Sequence, residues 1–279
     1  MVSAMHPAAS VANLAEQEEM HACGRRGALA DALAPFEQRR VVGELLRTIL
    51  ASESGLAAVA AKSYRHPNGF SKVVLASGPH HQLRLHIWWM REATRHDTAN
   101  VHNHRWDFSS LLLTGGYRYQ QFVPLDPVMS AAVAPGAGPG IEPEAERASE
   151  PGFERGPEPG QPFHAYAYHS ADDSSSYSLI PRGTRRLLCV FDADLAAGTK
   201  YELSADVLHR VLGDPSRTTA SLVLQGRDRR ASVDVFARSS LRAGPAIALT
   251  PFSPRCLARQ LTFLLKHLEG VEFSEDASC

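Results

Sequence analysis

The chain has 279 residues, 44% of them hydrophobic, enough to bury a full core as one large domain with appendages. A formal net charge of -1 with no long basic block excludes the electrostatic footprint of a nucleic-acid or membrane-surface binder. Four scattered cysteines (Cys23, Cys189, Cys256, Cys279) form no CxxC pair, the N-terminus lacks a basic n-region and an apolar h-region, and no run nears the ~18 apolar residues of a spanning helix, so a reduced, cytoplasmic protein is expected.

Residues 1–65 read as a helical segment. In "PFEQRRVVGELLRTIL" the apolar Val41, Val42, Leu45, Leu46, Ile49 and Leu50 recur at helical spacing, and Pro35 suits a first turn. The pattern changes at "HPNGF", a turn signal with Asn68-Gly69. From there to about 232, short β-branched and aromatic runs ("SKVVLAS", "LRLHIWWM", "DFSSLLL", "YRYQQFV", "HAYAYHS", "SYSLIP", "RRLLCVF", "VLHRVL", "TASLVLQG") predict a mainly β domain, an antiparallel sandwich or barrel. Residues 135–162 interrupt it with seven prolines and six glycines, a composition that reads as a disordered insertion. The segment 233–279 is predicted to be helical, its helix within "PRCLARQLTFLLKHLEG" carrying Leu257, Leu261, Leu264, Leu265 and Leu268 on one side.

The chemistry concentrates in "NVHNHRWDFSSLLLTGGYRY", residues 100–119. On a strand, positions i and i+2 share a face, so His102 and His104 present two imidazoles together, with Trp106 and Phe108 continuing that face. Asn103, Arg105 and Asp107 then point the other way, unless a bulge intervenes. Two imidazoles make a weak site, and His209 in "GTKYELSADVLHRVL" is the candidate third ligand.

These residues resemble the cupin superfamily, whose two motifs read G-x5-H-x-H-x(3,4)-E-x6-G and G-x5-P-x-G-x2-H-x3-N. His102, His104 and Gly115 match the first and Gly198 and His209 the second; His96, Phe108, Ser204, Asp206 and Gly213 are departures. The resemblance covers roughly residues 70 to 226 and implies a cupin (double-stranded β-helix, jelly-roll) barrel flanked by helices, with a homodimer as one use of those helices and a cover for the barrel as another. With Phe108 in the glutamate slot, the implied site has three histidines and no carboxylate, and is similar to that of the thiol dioxygenases. It implies Fe(II), O2 and a small polar substrate, amino-acid-like or thiol-bearing (cysteine-like), in secondary metabolism; the Ser-His-Tyr relay of those enzymes has no match placed here. The same site with Zn(II) or Ni(II) implies a non-redox isomerase, lyase or N–N bond-forming enzyme. A ligand-binding cupin without turnover is a third reading.

Around the histidines, Arg84 is the candidate to hold a substrate carboxylate bidentately, or else a surface ion pair. Trp106 and Phe108 would wall the pocket, Gln225 would touch substrate, and Tyr117 and Tyr119 are candidate acids or packing residues. His86 is in phase with Arg84 and Trp88 and faces either the barrel interior or solvent. His80-His81, after Gly-Pro, is expected to be exposed. No P-loop, GxGxxG, HExxH or Gly-x-Ser-x-Gly elbow is present, which removes nucleotide-phosphate, zinc-protease and serine-hydrolase chemistry as first choices.

Overall fold

The structure, a computed structural model, describes residues 27–90, 99–125, 162–171 and 176–271. It is mostly β, with two antiparallel sheets and helices packed on one of them. One sheet runs in the order β1 (Tyr64–His66), β2 (Phe70–Ser77), β3 (Gln82–Trp88), β11 (Thr219–Asp228), β5 (Trp106–Thr114), β9 (Lys200–Leu203). The other runs β13 (Gly244–Ala248), β8 (Ser176–Ala196), β6 (Gly116–Pro124), β10 (Leu208–Gly213), β4 (Val101–His102), β12 (Val233–Ala237), β7 (Pro162–Ser170). Strand β8 also closes this second sheet on itself: Tyr177–Arg186 pair with β7 and Leu187–Ala196 with β6.

Alternation along β3 explains the layering. Leu83, Leu85 and Ile87 point outward into the main apolar core, where they meet Leu29, Phe36, Val42 and Leu46 from the N-terminal helices and Leu257, Leu261 and Leu264 from the C-terminal one. Arg84, His86 and Trp88 point inward, toward the second sheet. Being covered on both faces, the sheet contains strands such as β5 that read as nearly continuous apolar runs. The helices are α1 (Ala28–Leu33), a 3-10 turn at Ala34–Glu37 with Pro35 in its first turn, α2 (Arg39–Ala51), α3 (Glu53–Ala61) and α4 (Pro254–Leu268). Ser52 and Ser253 cap α3 and α4 by accepting the Gly55 and Cys256 N–H groups. Both flanking helical regions therefore cover the barrel.

Two expectations change. The β-structure continues past residue 232: "VDVFA" is too short for its period to be read from sequence, and it becomes a strand by pairing with β4 on one side and β7 on the other. Helix returns only at Pro254. Cys256 is disulfide-bonded while Cys189 is free, because spacing reports nothing about cysteines brought together by the fold. Residues 135–161 of the predicted insertion lie outside the described residues. Among those described, no helix is long and apolar enough to cross a membrane.

Candidate metal centre

The chain passes from β4 of the second sheet into β5 of the first through residues 103–105, and crosses back at the far end of β5 at Gly115, whose φ is 71°. The first crossing, with β10 paired to β4, brings β4, the start of β5 and β10 around one point. His102 and His209 are directly opposite partners in the β4–β10 ladder. His104 follows β4 and folds back over them, and the ligand atoms of the three imidazoles all lie within 4.8 Å of one another. No carboxylate joins the cluster among the described residues.

Backbone carbonyls fix two of the rings. His102 Nδ1 lies 3.0 Å from the Asn100 carbonyl and His209 Nδ1 3.1 Å from that of Val207. A carbonyl only accepts, so both Nδ1 atoms carry the proton and both Nε2 lone pairs are free to ligate. The Nε2 atoms of His104 and His209 stand 3.3 Å apart. Burial lowers all three titrations, that of His209 to about 3 against a backbone hydrogen bond that raises it, and that of His104 well below the usual range with further help from His102 and His209. Three neutral, converging imidazoles are the donor set that suits a divalent transition metal.

The connecting chain is staked from outside. Asn103 donates to the Asp234 carboxylate at 2.8 Å and accepts the Asp234 N–H at 2.7 Å. Asp107 accepts the Ala205 N–H at 2.7 Å and pairs with Arg229 at 2.9 Å, while Ala205 in turn accepts the His104 N–H. Asp107 therefore holds the turn before β10 and is turned away from the histidines, as strand alternation requires.

The histidines open into a cavity of about 620 Å³ between the sheets. Of the predicted substrate residues, Arg84, Trp106, Phe108 and Gln225 all line it, and so does Tyr117. Tyr119 does not; its ring stacks on His209, centroids 5.8 Å apart, and its hydroxyl accepts from Gln121. The Tyr117 hydroxyl pairs with that of Tyr201 at 2.8 Å, and burial raises both titrations, so both stay neutral phenols. Phe108 places its ring 4.9 Å from His104 and 5.8 Å from His209, an apolar edge where a fourth ligand would stand. Gly213, in the asparagine slot, leaves room for Trp88, whose Cδ1 would lie 2.8 Å from an added Cβ.

Arg84 is buried (4% exposed), which removes the surface ion-pair reading; its guanidinium sits 4.3 Å over the Trp106 ring, which stacks in turn on His104 at 4.2 Å. His86 lines the cavity rather than facing solvent, and its buried Nε2 has no hydrogen-bond partner. Arg105 also lines the cavity, because residues 103–105 leave the strand geometry on which the outward assignment rested. His81 is buried, not exposed, and His96 lies outside the described residues. Sequence reading missed Tyr64, His66, Lys72 and Tyr201. Each is ordinary strand text, and only the pairing of β1 with β2 and of β9 with β5 turns them inward.

No protein-family model and no curated protein matches the chain. Among solved structures it is similar to a hydroquinone 1,2-dioxygenase in complex with Cd2+ and 4-hydroxybenzonitrile, at 15% identity and a TM-score of 0.26 over 58% of this chain and 66% of that one. A hydroquinone 1,2-dioxygenase from Sphingomonas sp. TTNP3 with 4-hydroxybenzoate bound matches at 13% identity and TM-score 0.30, covering 66% of this chain and 78% of that one. Hydroxypropylphosphonic acid epoxidase from S. wedmorenis matches at 12% and 0.28, over 78% and 96%.

Proposed function

We propose that the chain is a metal-dependent, cupin-like oxygenase acting on a small molecule, with Fe(II) held by His102, His104 and His209. One observation supports this above others: three imidazoles converge, His209 buried and His102 and His104 half-buried, and backbone carbonyls lock His102 and His209 with their Nε2 lone pairs free. When bound, such an ion supplies open coordination positions at which substrate and O2 meet.

The chain's own residues supply the rest. Asn100 and Val207 fix the ligand tautomers, and Asn103, Asp107 and Asp234 hold the ligand-bearing segments in place. Phe108 keeps a fourth protein ligand away, leaving room for substrate. Trp106, Phe108 and Trp88 exclude bulk water from the same space, and Arg84 and Gln225 orient the substrate.

Elemental analysis of untagged, chelator-free protein tests this reading: about one iron per chain with substrate-dependent O2 uptake is expected. One zinc or nickel per chain with no O2 uptake would move the site to the non-redox reading. No metal after anaerobic reconstitution would end the metalloenzyme proposal.

A further inference from the structure

Arg84 is the strongest unexplained feature outside the histidines. Its Nε and Nη2 are buried without a hydrogen-bond partner, and the residue is part of the cavity wall. These two atoms form one edge of the guanidinium fork, which accepts a planar carboxylate through two parallel bonds. The same protein shows that edge filled elsewhere: Arg118 gives Nε and Nη2 to the two oxygens of Asp192, both at 2.7 Å. At Arg84 the same two atoms have no hydrogen-bond partner. An unpaired buried fork costs several kilocalories per mole, so a partner from outside the chain is expected.

The surroundings define that partner. Cross-strand pairing sets Lys72 opposite His86 and beside Arg84 on the floor of the cavity. Lys72 donates to the Tyr64 hydroxyl at 3.1 Å, and among the described residues no acid pairs with it. Among the described residues lining the cavity there is no Asp or Glu. Asp228, which acts on Arg84 through space, is itself paired with Arg105 at 3.2 Å. A ligand ammonium would find no countercharge here, whereas an acid finds the Arg84 guanidinium and, beside it, the Lys72 amine, whose charge burial disfavours until an anion accompanies it. The walls beyond the floor are rings: Phe70, Trp88, Trp106 and Tyr117 among them.

Building on the small-molecule reading above, we propose that the substrate is a carboxylic acid with an apolar, ring-bearing body and no ammonium group, its carboxylate bidentate on Arg84 Nε and Nη2, with the Lys72 amine as a neighbouring donor.

Calorimetric titration of the metal-free full chain with 3-phenylpropionate, its neutral amide, 3-phenylpropylamine and 3-phenylpropylphosphonate tests this. The carboxylate is expected to bind at least about tenfold tighter than the amide and the phosphonate, and the amine not at all. Arg84→Met and Arg84→Lys, checked for folding by circular dichroism, are each expected to weaken the carboxylate by about tenfold to a hundredfold, the lysine failing because it lacks the fork. Carboxylate binding that follows Arg84 in a chain that never takes up metal would sustain this inference while the oxygenase reading fell. Equal binding of carboxylate and amide, equal binding of phosphonate, or unchanged carboxylate affinity in the folded Arg84 variants would overturn it. If both Arg84 variants fail to fold, the comparison of carboxylate with amide on the unaltered chain decides.

Discussion

His102 and His209 are opposite partners in an antiparallel ladder, with ring centroids 4.8 Å apart, although 107 positions separate them in the chain. The ladder fixes their Cα positions, the Asn100 and Val207 carbonyls fix their rings, and His104 closes the triangle. Their arrangement leads to separate expectations for the ligands and for the residues that only hold them.

His104→Ala is expected to abolish stoichiometric metal with the fold intact, since its ring contributes one corner of the cluster and little core. Asp107→Ala is expected to keep full metal stoichiometry and to destabilise the protein by about 1–3 kcal/mol, because it strips the buried Ala205 N–H of its acceptor. Metal analysis beside urea unfolding of both variants checks the pair. Metal lost with Asp107 alone, at unchanged stability, would make that carboxylate a ligand.

Acid should destabilise the metal-free protein through its histidines. His209 titrates at about 3 when folded, for reasons of burial, against about 6.5 in the unfolded chain. Between those values the unfolded state binds the extra proton, so stability rises with pH and is lost as pH falls from 6.5 toward 3. The contribution is about 1.4 kcal/mol per pH unit for this one group, and His66, His86, His102 and His104 are lowered in the same direction. Urea midpoints across pH 4–8 should show the slope, and His209→Gln should flatten it by about one proton.

Gly115→Ala is expected to cost at least about 1–3 kcal/mol. The residue turns the chain between sheets at positive φ, and an added Cβ would stand 2.6 Å from the Thr218 carbonyl oxygen and 2.8 Å from the Thr219 Cα, neither of which can yield as a flexible side chain would. Thermal unfolding measures this directly. A neutral result would mean that the corner can be made by other backbone shapes.

Phe108→Glu sets a carboxylate among the three imidazoles. The metal-free variant should be less stable than the parent, because a buried acid replaces a packed ring, and added divalent metal should raise its midpoint more than it raises the parent's. The same variant should lose turnover, having filled a position that substrate needs.

The β-rich core and the helices at both ends were legible in the sequence because each rests on a local period: alternation puts Arg84 with His86 and Trp88, and helical spacing puts Leu257 with Leu261 and Leu264. The two histidines were legible by their closeness in the chain, although residues 103–105 leave the strand between β4 and β5. The motif spacing also brought His209 forward as a third ligand. Tertiary structure decided what local period cannot express. It turned Lys72, Tyr64 and His66 inward through the pairing of β1 with β2, made "VDVFA" a strand by giving it two neighbours, and put Cys256 in a disulfide. It also left the Arg84 Nε and Nη2 buried without a partner in the wall of a cavity that strands of both sheets enclose. Side-chain period is a property of one segment, whereas a cavity and its charge balance belong to segments far apart in the chain and exist only once those segments pack.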